Sequence, residues 1–198
     1  MKLKVCGVTR ASDIVSLNQL PIWAVGFNFY VRSPRLIDID HGRYLAGLVA
    51  SHIRTIGIVM DVNDIETVLT FCDYVQVYTD DLPDVIDKKR CILVRHSNDL
   101  SPLPNTQAFA HILLDAPCLK DGLLGGTGRT ANQVVAKQLV KDHSLILAGG
   151  ITLQNVDVLY AAIKPFAMDV ASGFEVQPGI KDVKKIKVFL KKVGLYEK

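Results

Sequence analysis

Short apolar runs alternate with stretches of helical periodicity along almost the whole of this chain. Leu3–Val8, Ala24–Tyr30, Thr55–Met60, Tyr74–Tyr78, Cys91–Val94, His111–Asp115, Leu145–Ala148 and Phe166–Val170 read as strands. Most are apolar on both faces, as strands covered on both sides must be. Between them, Asp13–Leu20, Asp40–Ser51, Asn63–Phe71, Ala131–Val140 and Leu153–Ile163 space their apolar residues as helices do. Ser12, Asp40, Asn63 and Thr152 stand where N-caps are expected. The fourth connection, near Pro83–Lys88, is short, and the fifth, Asn98–Gln107, is rich in Ser, Pro and Asn.

Strict alternation of strand and helix predicts a parallel sheet. Eight such units predict α/β architecture closed into a single (β/α)8 barrel, a TIM barrel spanning residues 1–198. The trimmed fourth and fifth helical connections account for a length just under the usual ~200 residues. An open doubly wound sheet is the competing arrangement, since five or six units would give it. No GxGxxG follows the first strand, which weakens a dinucleotide-binding reading.

Composition narrows the function classes. A hydrophobic fraction of 49% suits strands buried on both faces. No apolar run approaches the ~20 residues needed to cross a bilayer, and the opening Met-Lys-Leu-Lys shows no signal-peptide pattern. A cytoplasmic protein with no membrane partner is expected. The net charge is +3, much of it in Lys181–Lys192. There Val183, Ile186 and Leu190 mark an inward helix face, and no aromatic residues are interleaved in the manner of a base-stacking surface. A solvated amphipathic helix is the reading, not a nucleic-acid site. The four cysteines lack CxxC spacing and the five histidines form no HExxH, so no metal is expected.

The candidate chemistry sits at strand ends. Cys6 closes the first strand in Lys4-Val5-Cys6-Gly7-Val8-Thr9-Arg10, and the C-terminal ends of barrel strands are where such enzymes react. Asp115 closes the sixth; Asp61 and Asp169 lie near strand ends too, so position alone does not choose the acid or base among them. Gly125, Gly126 and Gly128 follow Asp115 in a loop that is not a Walker A motif and suits either a flexible turn or a lid. Gly149-Gly150 and Ser172-Gly173 end the seventh and eighth strands, where barrels commonly hold phosphate on free backbone N–H groups. Arg35, just after the second strand, suits either a substrate carboxylate or solvent. Trp23 and the other aromatics are expected to pack the core.

In order, these segments resemble the phosphoribosylanthranilate isomerase family over nearly the whole chain. Lys4-Val5-Cys6-Gly7-Val8-Thr9 is similar to its opening KxCG(I/L)T, and Gly26–Tyr30 with Ser33-Pro34-Arg35 to its GFxFxxxSxR block. Leu113-Leu114-Asp115 followed by Gly125–Thr130 resembles LLD…GGTGKT. Leu147–Ile151, Asn155-Val156, Asp169–Glu175 and Pro178–Asp182 resemble its closing motifs. The resemblance implies the (β/α)8 barrel and an Amadori rearrangement of N-(5-phosphoribosyl)anthranilate in tryptophan biosynthesis. It implies Asp115 as general acid and Cys6 as general base. Arg35 would hold the anthranilate carboxylate, and Gly126, Gly149, Gly150, Ser172 and Gly173 would bind substrate. No cofactor is implied, the partner is a small phosphorylated substrate, and the assembly is a monomer or homodimer. For these roles Asp115 should have a raised pKa and Cys6 a lowered one.

Two departures stand out. Tyr78-Thr79 occupies the place of the family's His-Gly after the fourth strand, and Arg129 replaces a common Lys. Tyr78 is expected to take over the positioning role of that His. Two other functions compete. One is the related histidine-pathway aminoaldose isomerase, which carries an aspartate where Cys6 stands. The other is a degenerate barrel that binds phosphosugars without turning them over.

Overall fold

Eight strands pair in chain order, all parallel, and the last pairs with the first to close a barrel. They are β1 (Lys2–Cys6), β2 (Ala24–Asn28), β3 (Arg54–Ile58), β4 (Tyr74–Val77), β5 (Cys91–His96), β6 (His111–Asp115), β7 (Leu145–Leu147) and β8 (Ala167–Val170). The structure is a computed structural model and describes residues 1–99, 108–117 and 130–196. The open-sheet alternative is therefore excluded. Each expected strand is present, with boundaries shifted by one or two residues at most ends.

The helices are α1 (Ala11–Leu17), α2 (Ile39–Ala46), α3 (Ile65–Leu69), α4 (Gln133–Asp142), α5 (Val156–Ile163) and α6 (Val183–Lys192). Most are shorter than their periodicity suggested. The fourth connection carries only a 3-10 turn, Lys88–Arg90; the fifth lies largely outside the described residues. None of the four expected N-caps caps its α-helix. Asp38 caps α2 by accepting from His41 N, Asn132 caps α4 by accepting from Val134 N, and Asp61 caps a 3-10 turn ahead of α3. Arg10 precedes α1 with no side-chain bond, and Thr152 serves a turn before α5, accepting from Gln154 N.

Side-chain alternation sorts the strands into two cores. Leu3, Val5, Val25, Phe27 and Val75 face outward under the helices, and Ile56, Ile92, Leu113 and Ile146 fill the barrel interior; all are buried. Fully burying each such side chain contributes roughly 1.5–3 kcal/mol. α6 seals the β8 side with Ile186, Phe189 and Leu190 and turns its lysines to solvent. Between β8 and α6, β9 (Glu175–Gln177) and β10 (Ile180–Lys181) form a small antiparallel ribbon around Pro178-Gly179. Thr9 Oγ1 donates to Gly179 O at 2.7 Å and fastens this ribbon to the loop after β1. No helix among the described residues is long and apolar enough to cross a membrane.

Candidate active site

Cys6 and Asp115 end their strands on the inner face of the C-terminal mouth and line one pocket with Tyr78, Gln76 and Asp169. The two-residue period sets Lys4 one layer below Cys6 and Gln76 below Tyr78. Lys4 is fully buried, and its Nζ donates to Asp169 Oδ2 at 2.7 Å and to Gln76 Oε1 at 3.0 Å. Asp169 Oδ1 is buried with no hydrogen-bond partner among the described residues, and burial pushes its carboxyl upward in pKa. The three strand-end aspartates thus part company: exposed Asp61 caps a turn, Asp169 pairs with Lys4, and Asp115 lines the mouth.

Burial raises the pKa of Asp115, outweighing the Ala116 N–H that donates to its Oδ1 at 2.7 Å and the charges of His96 and Lys4. That is the direction an acid at this position requires. Cys6 reverses the expectation of a lowered thiol. Its pKa is raised, first by burial and then by Asp169, against the opposing pull of Lys4 and Lys181. Desolvation of the thiolate dominates, and the two lysines that oppose it are themselves paired, Lys4 with Asp169 and Lys181 with Glu175. Tyr78 lies with its ring 6.2 Å from that of His96, tilted by 30°. Burial, with Asp115 and Cys6 nearby, pushes its phenol well above the usual range, so it is a neutral hydrogen-bond donor.

Gly149, Gly150, Ser172 and Gly173 line the same pocket. Gly149 has φ +81, and a Cβ there would stand 2.6 Å from Ala116 N, so the turn after β7 rides directly on the peptide that follows Asp115. Asn155 fastens this turn from behind, donating from Nδ2 to Gly150 O and accepting at Oδ1 from Thr152 N, both at 2.8 Å. Ser172 and Gly173 open a 3-10 turn whose first N–H groups the turn itself does not use. Oriented N–H groups of this kind suit an anion. Gly126 lies outside the described residues, as do the rest of its glycine loop and Cys118.

Arg35 also lines the pocket, with its guanidinium turned to Glu175. Its Nε donates to Oε1 at 2.9 Å and Oε2 at 3.1 Å, and its Nη2 donates to Oε2 at 2.7 Å. Lys181 is buried, placed in β10 ahead of the helix in which its charge was counted, and donates to Cys6 O at 2.5 Å and to Glu175. Lys4, Glu175 and Lys181 were not singled out from the sequence. The one available signal was a charged residue inside an apolar strand, at Lys4. Among the described residues, no group of three or more His, Cys, Asp or Glu could hold a metal ion.

A closed parallel barrel with a thiol, a carboxylic acid and two anion-suited turns at its C-terminal mouth is a (β/α)8-barrel enzyme. Comparison with known proteins specifies which. The profile of the N-(5'-phosphoribosyl)anthranilate (PRA) isomerase family matches residues 3–192, and the chain belongs to that family. It is 32% identical over 205 residues to the N-(5'-phosphoribosyl)anthranilate isomerase of Pseudomonas putida, covering 98% of this chain and 97% of that one. To the enzyme of the same name from Thermoanaerobacter pseudethanolicus it is 33% identical over 201 residues, covering 98% of each chain. The crystal structure of phosphoribosyl anthranilate isomerase from Thermotoga maritima superposes with a TM-score of 0.78 at 25% identity, over 98% of both chains.

Proposed function

We propose that this chain isomerises N-(5'-phosphoribosyl)anthranilate to 1-(2-carboxyphenylamino)-1-deoxyribulose 5-phosphate in tryptophan biosynthesis, with Asp115 as general acid and Cys6 as general base. The observation that carries the assignment is the shared pocket. Cys6 and Asp115 line it together with Gly149, Gly150, Ser172 and Gly173, the groups suited to the substrate's phosphate.

Asp115 gives its proton to the ribose ring oxygen as the C1–O bond breaks and the anthranilate nitrogen forms a protonated Schiff base with C1. The Cys6 thiolate then removes the C2 proton. The released electron pair forms the C1–C2 double bond and neutralises the nitrogen, leaving an enolamine. Loss of the C2 hydroxyl proton and protonation of C1 give the ketone. Acid and base suffice, and no cofactor enters. Arg35 holds the anthranilate carboxylate: Glu175 occupies its Nε–Nη2 edge, and the Nη1–Nη2 end is left for a second carboxylate. We read residues 1–198 as one catalytic domain of a cytoplasmic enzyme.

The test is turnover of freshly prepared phosphoribosylanthranilate, followed by loss of its fluorescence. Wild type should turn over, and Cys6→Ser and Asp115→Asn should each lose about two to four decades in kcat, the scale of a positioned acid or base. Tyr78→Phe in the same assay should raise KM if the phenol positions substrate; unchanged kinetics would remove its hydroxyl from the reaction. A folded wild type that binds phosphate without turnover would instead support the degenerate barrel.

A further inference from the structure

The Glu175 carboxylate carries more polar contacts than a surface-derived ribbon needs. Its side chain is 3% exposed and accepts from Arg35 Nε and Nη2, from Gly179 N at 3.1 Å and from Lys181 Nζ. Arg35 and Lys181 outweigh the effect of burial and hold it ionised. Each cation also reaches towards the site. Lys181 Nζ donates to the carbonyl of Cys6. The Arg35 stem lies across Gly7, where a Cβ would stand 2.3 Å from Arg35 Cδ at a backbone φ of +70. A side chain at residue 7 would therefore displace the arginine.

We propose that Glu175 is a positioning residue: it orients Arg35 towards the aryl carboxylate of the substrate and, through Lys181, ties that anchor to the strand end bearing Cys6. The inference rests on the reading of Arg35 as the carboxylate anchor. A guanidinium offers a side fork and an end fork to carboxylates. Glu175 takes the side fork, so the end fork keeps one direction before substrate arrives and little rotamer freedom is lost on binding. The arrangement costs some attraction, because one anion stands beside the anchor. Lys181, whose pKa burial lowers against the pull of Glu175, shares that anion with Arg35. The same carboxylate thus fixes where the anchor meets the aryl end of the substrate, and a misplaced Arg35 weakens binding of the carboxylate-bearing substrate.

The experiment compares two substrates, phosphoribosylanthranilate and its counterpart lacking the carboxylate, prepared from aniline and ribose 5-phosphate and followed by proton NMR. In wild type, kcat/KM favours the carboxylate-bearing substrate, and Arg35→Gln abolishes that preference. Glu175→Gln should lower kcat/KM on the anthranilate substrate by about ten-fold or more, mainly through KM, as loss of an oriented charge-assisted contact does. Turnover of the aniline substrate should change far less. Glu175→Asp, which keeps the charge but withdraws it by one methylene, should lose part of the preference and carries the test if Glu175→Gln does not fold. Equal losses on both substrates, or none on either, would overturn the positioning role and leave Glu175 a structural ion pair. If Arg35→Gln itself leaves the preference intact, the anchor reading fails and the proposal falls with it. Loss of preference in Arg35→Gln but not in the Glu175 variants overturns the proposal alone.

Discussion

Cys6 and Asp115 must begin the proposed reaction in opposite states, thiolate and protonated acid. Both have pKa values raised by burial, from ordinary values of 9.0 and 3.8. The productive form is the singly protonated pair with its proton on Asp115. Below the Asp115 pKa both groups are protonated and activity falls; above the Cys6 pKa both are ionised and activity falls again. A bell-shaped kcat/KM profile follows, its acid limb above the ordinary carboxylate value and its alkaline limb above the ordinary thiol value. Lys4 has a part in this: burial pulls its ammonium down, but Asp169 and Cys6 outweigh it, so it stays charged beneath the thiol. Lys4→Met removes that charge and should move the alkaline limb to still higher pH in whatever fraction folds. An alkaline limb at or below the free-thiol value in wild type would contradict the base assignment.

At the scale of elements, the turn after β7 joins the phosphate side to the acid side. Gly149 packs on Ala116, whose N–H binds Asp115 Oδ1. Gly149→Ala puts a methyl into that contact at a positive φ, strain on the order of 1–3 kcal/mol. The expected result is a lower melting temperature together with weaker competition by inorganic phosphate and a lower kcat. A variant that melts early yet keeps normal phosphate competition would mean that this turn does not bind the anion. The β9–β10 ribbon performs a similar junction on the other side, bringing Glu175 and Lys181 to Arg35 and Cys6.

For the whole molecule, the end of the barrel opposite the site is closed by aromatic rings. His111 stacks on Phe166 at 4.5 Å and meets Trp23 edge-on at 5.3 Å, while Lys2 Nζ lies 4.4 Å from the Phe166 ring centre. Burial and then Lys2 lower the His111 pKa from 6.5 to about 4. A histidine held neutral in the fold stabilises above its unfolded pKa, and that stability is lost as pH falls towards the folded value. The melting temperature should therefore drop between about pH 7 and pH 5 in wild type and less steeply in His111→Phe, as histidine linkage requires. Parallel slopes would show that His111 does not titrate across folding. The same closure explains why the site has a single mouth: the interior below Lys4 and Gln76 is filled by Ile56, Ile92, Leu113 and Ile146.

Closure was decided by the pairing of β8 with β1. Local pattern alone determined the eight strands and their parallel pairing, because strands buried on both faces must be apolar throughout and crossovers of helical period force parallel pairing. It also placed Cys6, Asp115, the two glycine turns and Arg35 near strand ends, since each position is set by where its own strand stops. Helix starts were less legible: Asp38, not Asp40, caps α2, with extended backbone and its side chain accepting from His41 N. Tertiary structure alone brought Lys4 to Asp169, 165 residues away, Arg35 to Glu175, 140 away, and Lys181 to Cys6, 175 away. It also decided the sign of the thiol's shift. Burial of the thiol beside Asp169 outweighs the pull of Lys4 and Lys181, and that burial exists only once β1, β8 and the ribbon have closed on one another.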